Sequence, residues 1–393
     1  MKRAIITSII VVFIVSSVFG QDMYSPVLKQ IEENSTTLKA LKEQMEAQKL
    51  GNKTGLTPSN PEVEFGYLWG NPSANGNRKD INVSQTFDFP TAYAQRIRLS
   101  DMKNESAEYQ YKSQRMDLLL SAKNTCIELI YYNALGKLYE KQLENAKKIA
   151  DAYEIKKNTG AANQLEYNKI VLNYTNMDNE VKRINLERER LLSELVRLNG
   201  GNPVSFDFTA YGSSVLPSDF ESWYASAEAE NPVLQYLKSQ VEVNNRQIKL
   251  TRSLSLPKLS VGYMGEFVPG QEFQGVTVGI SIPLWENKNK VKQAKVAARA
   301  SEKMVEDAKM QYYNRLKDLY AKVRQLQNNV SGYNSVFKQN DNDELLFKAY
   351  NSGEISLLDY LLEMEYYFVS YDKCLQAERD LELALAELCA FKL

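Results

Sequence analysis

The stretch Pro61-Glu62-Val63-Glu64-Phe65-Gly66-Tyr67 recurs 196 positions later as Pro257-Lys258-Leu259-Ser260-Val261-Gly262-Tyr263, with its proline, glycine and tyrosine in the same places. Apolar side chains alternate with other residues in both copies, which is the period-2 pattern of a β-strand. A second pair of matching segments, Gln164–Tyr167 and Leu357–Tyr360, lies at an offset of 193, and a glycine precedes each of them. Because both features recur in the same order, we interpret the chain as two repeats of about 195 residues each.

Each proline-led stretch opens a pair of alternating runs that the sequence predicts to form a β-hairpin. The strands are predicted at about 61–70 and 81–90 in the first repeat and at about 257–267 and 275–284 in the second. The segments between them, Gly70–Asp80 and Pro269–Gln274, are rich in Gly, Pro and Asn and are typical of hairpin loops. Each run has about 9–11 residues, the length that a tilted strand needs to cross a bilayer.

The apolar face of these hairpins allows two interpretations. A soluble sheet would bury this face on a core, whereas a membrane barrel would turn it to lipid and turn the polar face to a lumen. Aromatic residues near strand ends favour the barrel because they are typical of the membrane interface, although soluble strands are also rich in aromatics. The predicted lipid-facing aromatic girdle consists of Phe65, Tyr67, Trp69, Phe87, Phe89, Tyr263, Phe267 and Trp285.

The N-terminus favours export, and with it the barrel. Met1-Lys2-Arg3 is followed by an apolar run from Ala4 to Phe19, so residues 1–20 are predicted to be a secretory signal peptide. This run has about 16 residues, fewer than the ~20 of a membrane-spanning helix. No cysteine follows the run directly, so we expect no lipid attachment at the N-terminus.

Four strands in one chain cannot close a barrel. An open sheet edge in lipid would leave unpaired backbone groups, each costing several kcal/mol. Subunits are therefore expected to share one barrel. Two chains would supply eight strands, and side chains fill the interior of a barrel of that size. Three chains would supply twelve strands and could leave a pore.

The remaining segments are predicted to be helices, some of them too long for a compact domain. Long helices are predicted at about 91–157 and 285–351, return helices at about 164–198 and 355–391, and shorter helices before the hairpins at about Ser25–Leu50 and 220–254. Residues 200–219 connect the two repeats, which span 21–199 and 220–393. A run of about 67 residues with apolar positions spaced 3 or 4 apart predicts coiled-coil packing over ~100 Å.

The composition argues against catalysis and against nucleic-acid binding. The formal net charge is −1, and the sequence contains no histidine, which is the commonest acid–base catalyst and metal ligand. The three cysteines, Cys126, Cys374 and Cys389, form no disulfide framework or zinc pattern. Because a phosphate-loop glycine pattern is also missing, we expect a protein that is not an enzyme and holds no cofactor or metal ion.

Several segments together resemble the TolC-like outer-membrane efflux protein family. They are Glu32-Glu33-Asn34, Glu230-Asn231-Pro232, Asn60–Val63, Val278–Leu284 and Ser352–Asp359. The resemblance rests on their order and on the duplication, and it covers nearly the whole chain after the signal peptide. It implies a mainly α fold with β: duplicated long α-helical hairpins form an α-barrel tunnel, and four strands per chain contribute to a trimeric, twelve-strand transmembrane β-barrel.

The resemblance also implies a location and partners. The protein is expected in the cell outer membrane with a periplasmic extension, as a homotrimer in contact with outer-membrane lipid. It is expected to dock to a periplasmic adaptor (membrane fusion protein) of an inner-membrane pump, and it looks closest to the branch that serves RND-type cation and drug pumps.

The resemblance places functional residues at the turns between the long helices and their return helices. The predicted adaptor-contact tips are Thr159, Gly160, Asn163, Ser352, Gly353, Glu354, Ser356 and Leu357. Asp359 matches the family position near the closed pore constriction, and Glu166 is its first-repeat counterpart. Three copies of each would ring the pore with negative charge, although either could instead be a solvated carboxylate on a helix surface.

The sequence thus predicts a passive exit duct for small molecules or cations that a pump delivers through an adaptor. Two other functions stay open at this point. One is an outer-membrane duct for type I protein secretion, and the other is a secreted structural coiled-coil protein without a pore.

Overall fold

A computed structural model describes residues 23–212, 216–339 and 342–393, so the predicted signal peptide lies outside the described residues. In chain order the helices are α1 (Ser25–Asn34), α2 (Thr36–Asn52), α3 (Pro90–Asn158), α4 (Gln164–Leu198), α5 (Phe220–Glu230), α6 (Pro232–Ser253), α7 (Lys290–Gln339), α8 (Asn342–Ser352) and α9 (Leu357–Leu388). The strands are β1 (Glu62–Leu68), β2 (Arg78–Phe87), β3 (Lys258–Val268) and β4 (Gln271–Ser281). None of the helices within these ranges is long and apolar enough to cross a membrane.

The four strands form one antiparallel sheet in the order β1-β2-β3-β4, so β2 and β3 join the two hairpins. The strands predicted at about 81–90 and 275–284 are displaced towards the hairpin loops, to 78–87 and 271–281. Helix α3 already begins at Pro90, which ends the first hairpin early. In the second hairpin Gly270, with φ of 84°, allows a two-residue turn, so the predicted loop Pro269–Gln274 is too long.

The helices that precede the hairpins are each broken in two, which corrects the prediction of single helices at Ser25–Leu50 and 220–254. Ser35 ends α1 and caps α2, its hydroxyl oxygen accepting from the Leu38 N–H at 3.4 Å. Asn231 does the same between α5 and α6, accepting from the Leu234 N–H at 3.0 Å. Both caps are buried, and Pro232 further disfavours a helical conformation at Asn231.

The two long helices differ in continuity. Helix α3 has 69 residues, which corresponds to ~100 Å. The second long helix, predicted at about 285–351, begins at Lys290 because a turn containing Asn289 at φ 67° precedes it. It is described as α7 and α8, on either side of residues 340 and 341. The return helix α9 ends at Leu388, and a 3₁₀ turn, Ala390–Lys392, replaces the last turn of the predicted 355–391 helix.

The helices continue the order of the strands. Near the sheet α2 packs on α3, α3 on α6 and α6 on α7, so this layer parallels β1-β2-β3-β4. Farther from the sheet α3 packs on both α4 and α9, and α9 packs on α7. Within the described ranges, α2 and α7 are the two ends of the first layer, and α4 and α7 are the two ends of the second.

The largest core cluster lies midway along the helical body. Phe206, from the described part of the connector, is 2 % exposed and packs among buried residues of α1, α3, α4 and α9. The amide of Asn133 on α3 donates to the carbonyl oxygens of Phe206 and Phe208 at 3.4 and 3.0 Å. The connector is thus held on the long helix by apolar burial and by satisfied backbone groups.

Candidate functional site

One face of the sheet is apolar and open. Directly paired residues of antiparallel strands project to the same face, and the observed pairing puts Val63, Val83, Tyr263 and Val276 in one row. Neighbouring rows add the other apolar side chains of this face: Phe65, Tyr67, Ile81, Phe87, Leu259, Val261, Phe267, Val278 and Ile280. At the outer strands these side chains are exposed, with Phe65 at 67 % and Val278 at 78 %.

The opposite face is mostly polar and carries paired charges. Arg78 donates to Asp80 at 2.8 Å and forms an ion pair with Glu266 at 3.1 Å. Asn82 donates to the carboxylate of Glu64 at 3.3 Å. A sheet with one exposed apolar face and one hydrated, charged face can separate lipid from an aqueous lumen.

Most of the predicted girdle aromatics lie at one of the two ends of the sheet. Near the hairpin loops, the rings of Tyr67 and Trp69 pack edge to face at 5.6 Å, and the ring of Phe267 lies beside Gly265. At the helical end are Phe87, the last residue of β2, and Phe89, the residue before α3. Trp285, between β4 and α7, lies at the same end and is 80 % exposed.

Phe65 and Tyr263 are placed differently from the prediction. Phe65 is the middle residue of β1 and Tyr263 is the middle residue of β3. Tyr263 therefore lies in the central row of the apolar face, and Phe65 lies one row closer to the hairpin loops, so neither is in an end row. The alternating pattern correctly placed both side chains on the same face of the sheet. Their position along the strands depended on strand bounds that the sequence predicted less accurately.

At the far end of the long helices, both turns have the same backbone structure. Gly160 and Gly353 have φ angles of 75° and 78°, the left-handed conformation that glycine adopts without a steric penalty. The N–H groups of Gly160 and Ala161 donate to carbonyls of the last turn of α3 at 3.1 and 2.8 Å. Those of Gly353 and Glu354 do the same in α8 at 3.1 and 3.0 Å. Both turns are Schellman motifs, so the two repeats end their long helices identically.

Glu166 and Asp359, the predicted pore residues, each complete a capping box. The side chain of Asn163 accepts from the Glu166 N–H at 2.9 Å, and the Glu166 carboxylate accepts from the Asn163 N–H at 3.2 Å. Ser356 and Asp359 repeat this exchange at 3.2 and 3.4 Å. Both carboxylates are exposed. An acidic residue three positions after Asn163 and after Ser356 is the spacing of a capping box, so the sequence contained a signal for this role that was not used in the prediction.

The two turns lie side by side. Buried residues of α3, α4 and α9 form one cluster, namely Ile149, Tyr153, Ile170, Tyr360, Met364 and Phe368. Ala162 of the first turn and Leu357 of the second both pack against it. Leu357 is therefore half-buried, whereas the other predicted contact residues are exposed: Thr159, Gly160, Asn163, Ser352, Gly353, Glu354 and Ser356.

Two exposed leucines at these turns were not among the predicted contact residues. Leu165 is 74 % exposed and Leu358 is 52 % exposed, and each is the second residue of its return helix. They match each other at the offset of 193, which was the available signal. An apolar side chain at each turn gives this end of the molecule a surface that a protein partner can bury.

The two turns differ in charge. Lys156 and Lys157 lie in the last turn of α3, with their ammonium groups 4.8 and 4.3 Å from the ring centroids of Tyr153 and Tyr167. The last turn of α8 has no basic residue, and Glu354 follows it.

Near these turns, burial raises the pKa of the Tyr350 phenol, and its hydrogen bond with Tyr153 raises this pKa further. In the described ranges, no group of three or more Cys, Asp or Glu side chains is arranged to hold a metal ion.

The turn glycines lead to a stability prediction. Gly353→Ala should destabilise the second turn by about 1 kcal/mol because alanine is strained at positive φ. Gly332→Ala is the matched control: Gly332 lies inside α7 with open space around it, and alanine there should stabilise by ~0.5–1 kcal/mol. Hydrogen exchange at the turn and thermal unfolding would measure both effects. Equal effects of the two substitutions would contradict the strain argument.

No protein-family model and no curated protein matches the sequence. Solved structures do match. The CmeC outer membrane channel of Campylobacter jejuni has a TM-score of 0.72 at 16 % identity, over 94 % of this chain and 85 % of that one. The open-state MtrE outer membrane channel of Neisseria gonorrhoeae has a TM-score of 0.76 at 14 % identity, over 94 % and 88 %. CusC, described as forming a transmembrane channel, has a TM-score of 0.75 at 14 % identity, over 94 % and 92 %.

These matches span nearly the full length of both chains in each comparison. The chain has the fold of one subunit of a TolC-like channel, with α-barrel helices and a four-strand share of a β-barrel. The predicted fold class and the predicted resemblance are confirmed at the level of the fold.

Proposed function

We propose that the protein is an outer-membrane channel subunit of a tripartite efflux system. The single observation that carries this proposal is the four-stranded sheet with one exposed apolar face, one charged face and two unpaired edges. Such a sheet is stable when lipid covers the apolar face, water covers the charged face and other subunits cover the edges. The channel fold of the neighbouring structures supports the same assignment.

Conduction through this subunit would be passive. The long helices extend ~100 Å from the sheet, so the lumen of a closed ring of chains would continue as a helical tunnel into the periplasm. The energy for transport would come from an inner-membrane pump, and the subunit would supply only the exit path. A structural coiled-coil protein without a pore would not need the sheet.

The paired turns are the proposed contact with a periplasmic adaptor. They lie at the end of the helices opposite to the sheet, and most of their side chains are exposed. Leu165 and Leu358 would provide the apolar contacts, and the small residues Gly160 and Gly353 would allow close approach. The second turn has Ser356-Leu357-Leu358 where the first has Asn163-Gln164-Leu165, so the second has a hydroxyl and a further leucine at these positions.

Asp359 provides a test of the proposed pore constriction. In Asp359→Asn the amide oxygen can still accept the bonds from Ser356, so the helix cap persists while the charge of each subunit is lost. We expect the cation preference of single channels in planar bilayers to fall by a factor of about 2 or more. Glu354→Gln, outside the capping box, is the control. An unchanged reversal potential in Asp359→Asn would remove Asp359 from the constriction.

The function as a whole is tested in cells. Deletion of the gene should increase retention of a fluorescent efflux substrate, and the full chain should restore export and fractionate with the outer membrane as a trimer. Loss of secretion of one protein, with unchanged dye export, would instead identify a protein-secretion duct. A soluble protein in the periplasmic fraction would overturn the proposed function.

A further inference from the structure

We propose that a basic patch next to the sheet binds the phosphate groups of anionic phospholipids. The patch lies where the helices of the second repeat meet the sheet, and it consists of the exposed residues Lys249, Arg252, Lys288, Lys292 and Lys295. This inference rests on the proposed function, which places the sheet in a membrane, and it adds a lipid ligand and the residues that bind it.

Positive charge is concentrated in the four segments that adjoin the helical end of the sheet. These segments, residues 47–61, 89–100, 243–258 and 287–301, contain 13 of the 48 Lys and Arg residues of the chain and none of its 49 Asp and Glu residues. The second repeat contributes nine of the thirteen. Because the whole chain has a net charge of −1, this end of the helical body differs sharply from the rest.

The patch residues of α6 and α7 lie on the side of the apolar face. On the other side is a cavity lined by Asp88 and Lys258, which belong to the charged face of the sheet and form an ion pair at 4.0 Å. The helices line this cavity with Asn244, Gln247 and Thr251 of α6 and with Lys290, Gln293 and Ala297 of α7. At about 100° per residue, the patch residues of each helix lie more than about 100° around its axis from the middle of the cavity-lining side.

The patch also lies at the depth of lipid headgroups. Exposed apolar residues continue past the end of β4, and the last of them is Trp285, which is 80 % exposed. Lys288 follows in the turn before α7. Lys249 and Lys295, the patch residues farthest from the sheet, lie within ~8 Å of the helix ends, at ~1.5 Å per residue. The headgroup region extends about 5–7 Å beyond the hydrocarbon core, and long basic side chains reach towards it.

The fold itself does not explain these charges. Within the described ranges no ion pair involves a patch residue, whereas the nearby Lys258 and Lys303 both have carboxylate partners. Lys292 lies in the first turn of α7, where the helix dipole repels a cation and no acidic residue compensates. Lys292 and Lys295 are three positions apart on one helix and repel each other. Arg252, in the last turn of α6, does suit its helix.

A phospholipid fits this surface better than a soluble anion does. The apolar face and the basic patch are adjacent, since Leu284 and Trp285 are exposed immediately before Lys288. One lipid molecule can therefore place its acyl chains on the apolar face and its phosphate at the patch. Each basic residue near an anionic membrane surface adds to the attraction.

Native mass spectrometry of the purified full-length trimer would measure bound lipid during titration with cardiolipin or with zwitterionic phosphatidylethanolamine. We expect the wild type to bind cardiolipin at least about fivefold more tightly. Lys292→Gln with Lys295→Gln should weaken cardiolipin binding at least about fivefold, because two charges of the patch are lost. The matched control, Lys258→Gln with Lys290→Gln, removes two charges from the cavity side and should weaken it less than about twofold. Lys292→Arg with Lys295→Arg keeps the charge and should keep the binding.

Equal weakening by the two glutamine pairs, or equal binding of both lipids by the wild type, would overturn the proposed lipid site. Displacement of cardiolipin by an equal concentration of inorganic phosphate would assign the patch to a soluble anion and would overturn it as well. Outer-membrane fractionation of the wild type separates this inference from the proposed function. A membrane trimer without lipid preference contradicts the lipid site alone, whereas a protein outside the membrane contradicts the proposed function itself.

Discussion

Val278→Arg is expected to prevent assembly into the outer membrane. Val278 is 78 % exposed and lies in the apolar face of β4, opposite Val261. An arginine facing the middle of the bilayer costs about 2–4 kcal/mol, and a trimer would carry three of them. We expect the membrane-embedded trimer to fall at least about tenfold, measured by outer-membrane fractionation and by heat-modifiable migration on gels.

The neighbouring residue provides the control for Val278→Arg. Thr277 is exposed on the opposite, polar face of the same strand, where it pairs with Gly262. Thr277→Arg should therefore keep most of the membrane trimer, because its charge would lie in water. An equal loss of membrane-embedded trimer in both variants would show that the effect does not depend on which face of β4 carries the arginine. Normal assembly of Val278→Arg would contradict the assignment of the apolar face to lipid.

Leu358→Glu is expected to stop efflux while leaving the trimer intact. Leu358 is 52 % exposed at the second position of α9, where a carboxylate is compatible with the positive end of the helix dipole. The folded chain should therefore tolerate glutamate. A contact with the adaptor would lose apolar burial and gain an uncompensated charge, which we expect to weaken docking by about 2 kcal/mol, or ~30-fold. Retention of a fluorescent substrate, and co-purification with the proposed periplasmic adaptor, would measure this effect.

Leu165→Glu is the matched comparison for Leu358→Glu. It changes the same helix position in the other repeat, and Leu165 is more exposed, at 74 %. We expect a smaller loss of efflux, because the first turn has Asn163 and Gln164 where the second has Ser356 and Leu357. Leu358→Met should retain efflux, since it keeps an apolar side chain of similar volume. A larger effect at position 165 would move the main adaptor contact to the first turn, and wild-type efflux in both variants would remove the leucines from it.

Local patterns in the sequence were sufficient to predict where strands and turns form and which side chains share one face of a strand. Alternation around Gly66 and Gly262 identified both first strands to within two residues, because a half-exposed strand shows its period directly. Gly160 and Gly353 identified the far turns because a helix that ends in the left-handed conformation strongly favours glycine. Long runs without proline identified the long helices.

Local patterns gave wrong helix bounds where buried contacts determine the backbone conformation. Ser35 and Asn231 interrupt runs that look helical, and each is a buried cap whose role depends on the packing around it. The pore role of Asp359 and Glu166 stays a prediction, and the structure adds that each of these exposed residues caps its own helix. The sequence does show an acidic residue three positions after Asn163 and after Ser356, which fits a capping box. The same sequence fits other roles of an exposed carboxylate equally well.

The sequence by itself determined that this protein has two similar halves, each with a hairpin of alternating faces and a long helical hairpin. These features are local, since periodicity and glycine turns act over a few residues. Only the tertiary structure decided that β2 joins β3, that the two helix turns lie side by side, and that β1 and β4 are the free edges. Those facts depend on pairing between residues about 180 positions apart, for which backbone hydrogen bonds carry no sequence signature.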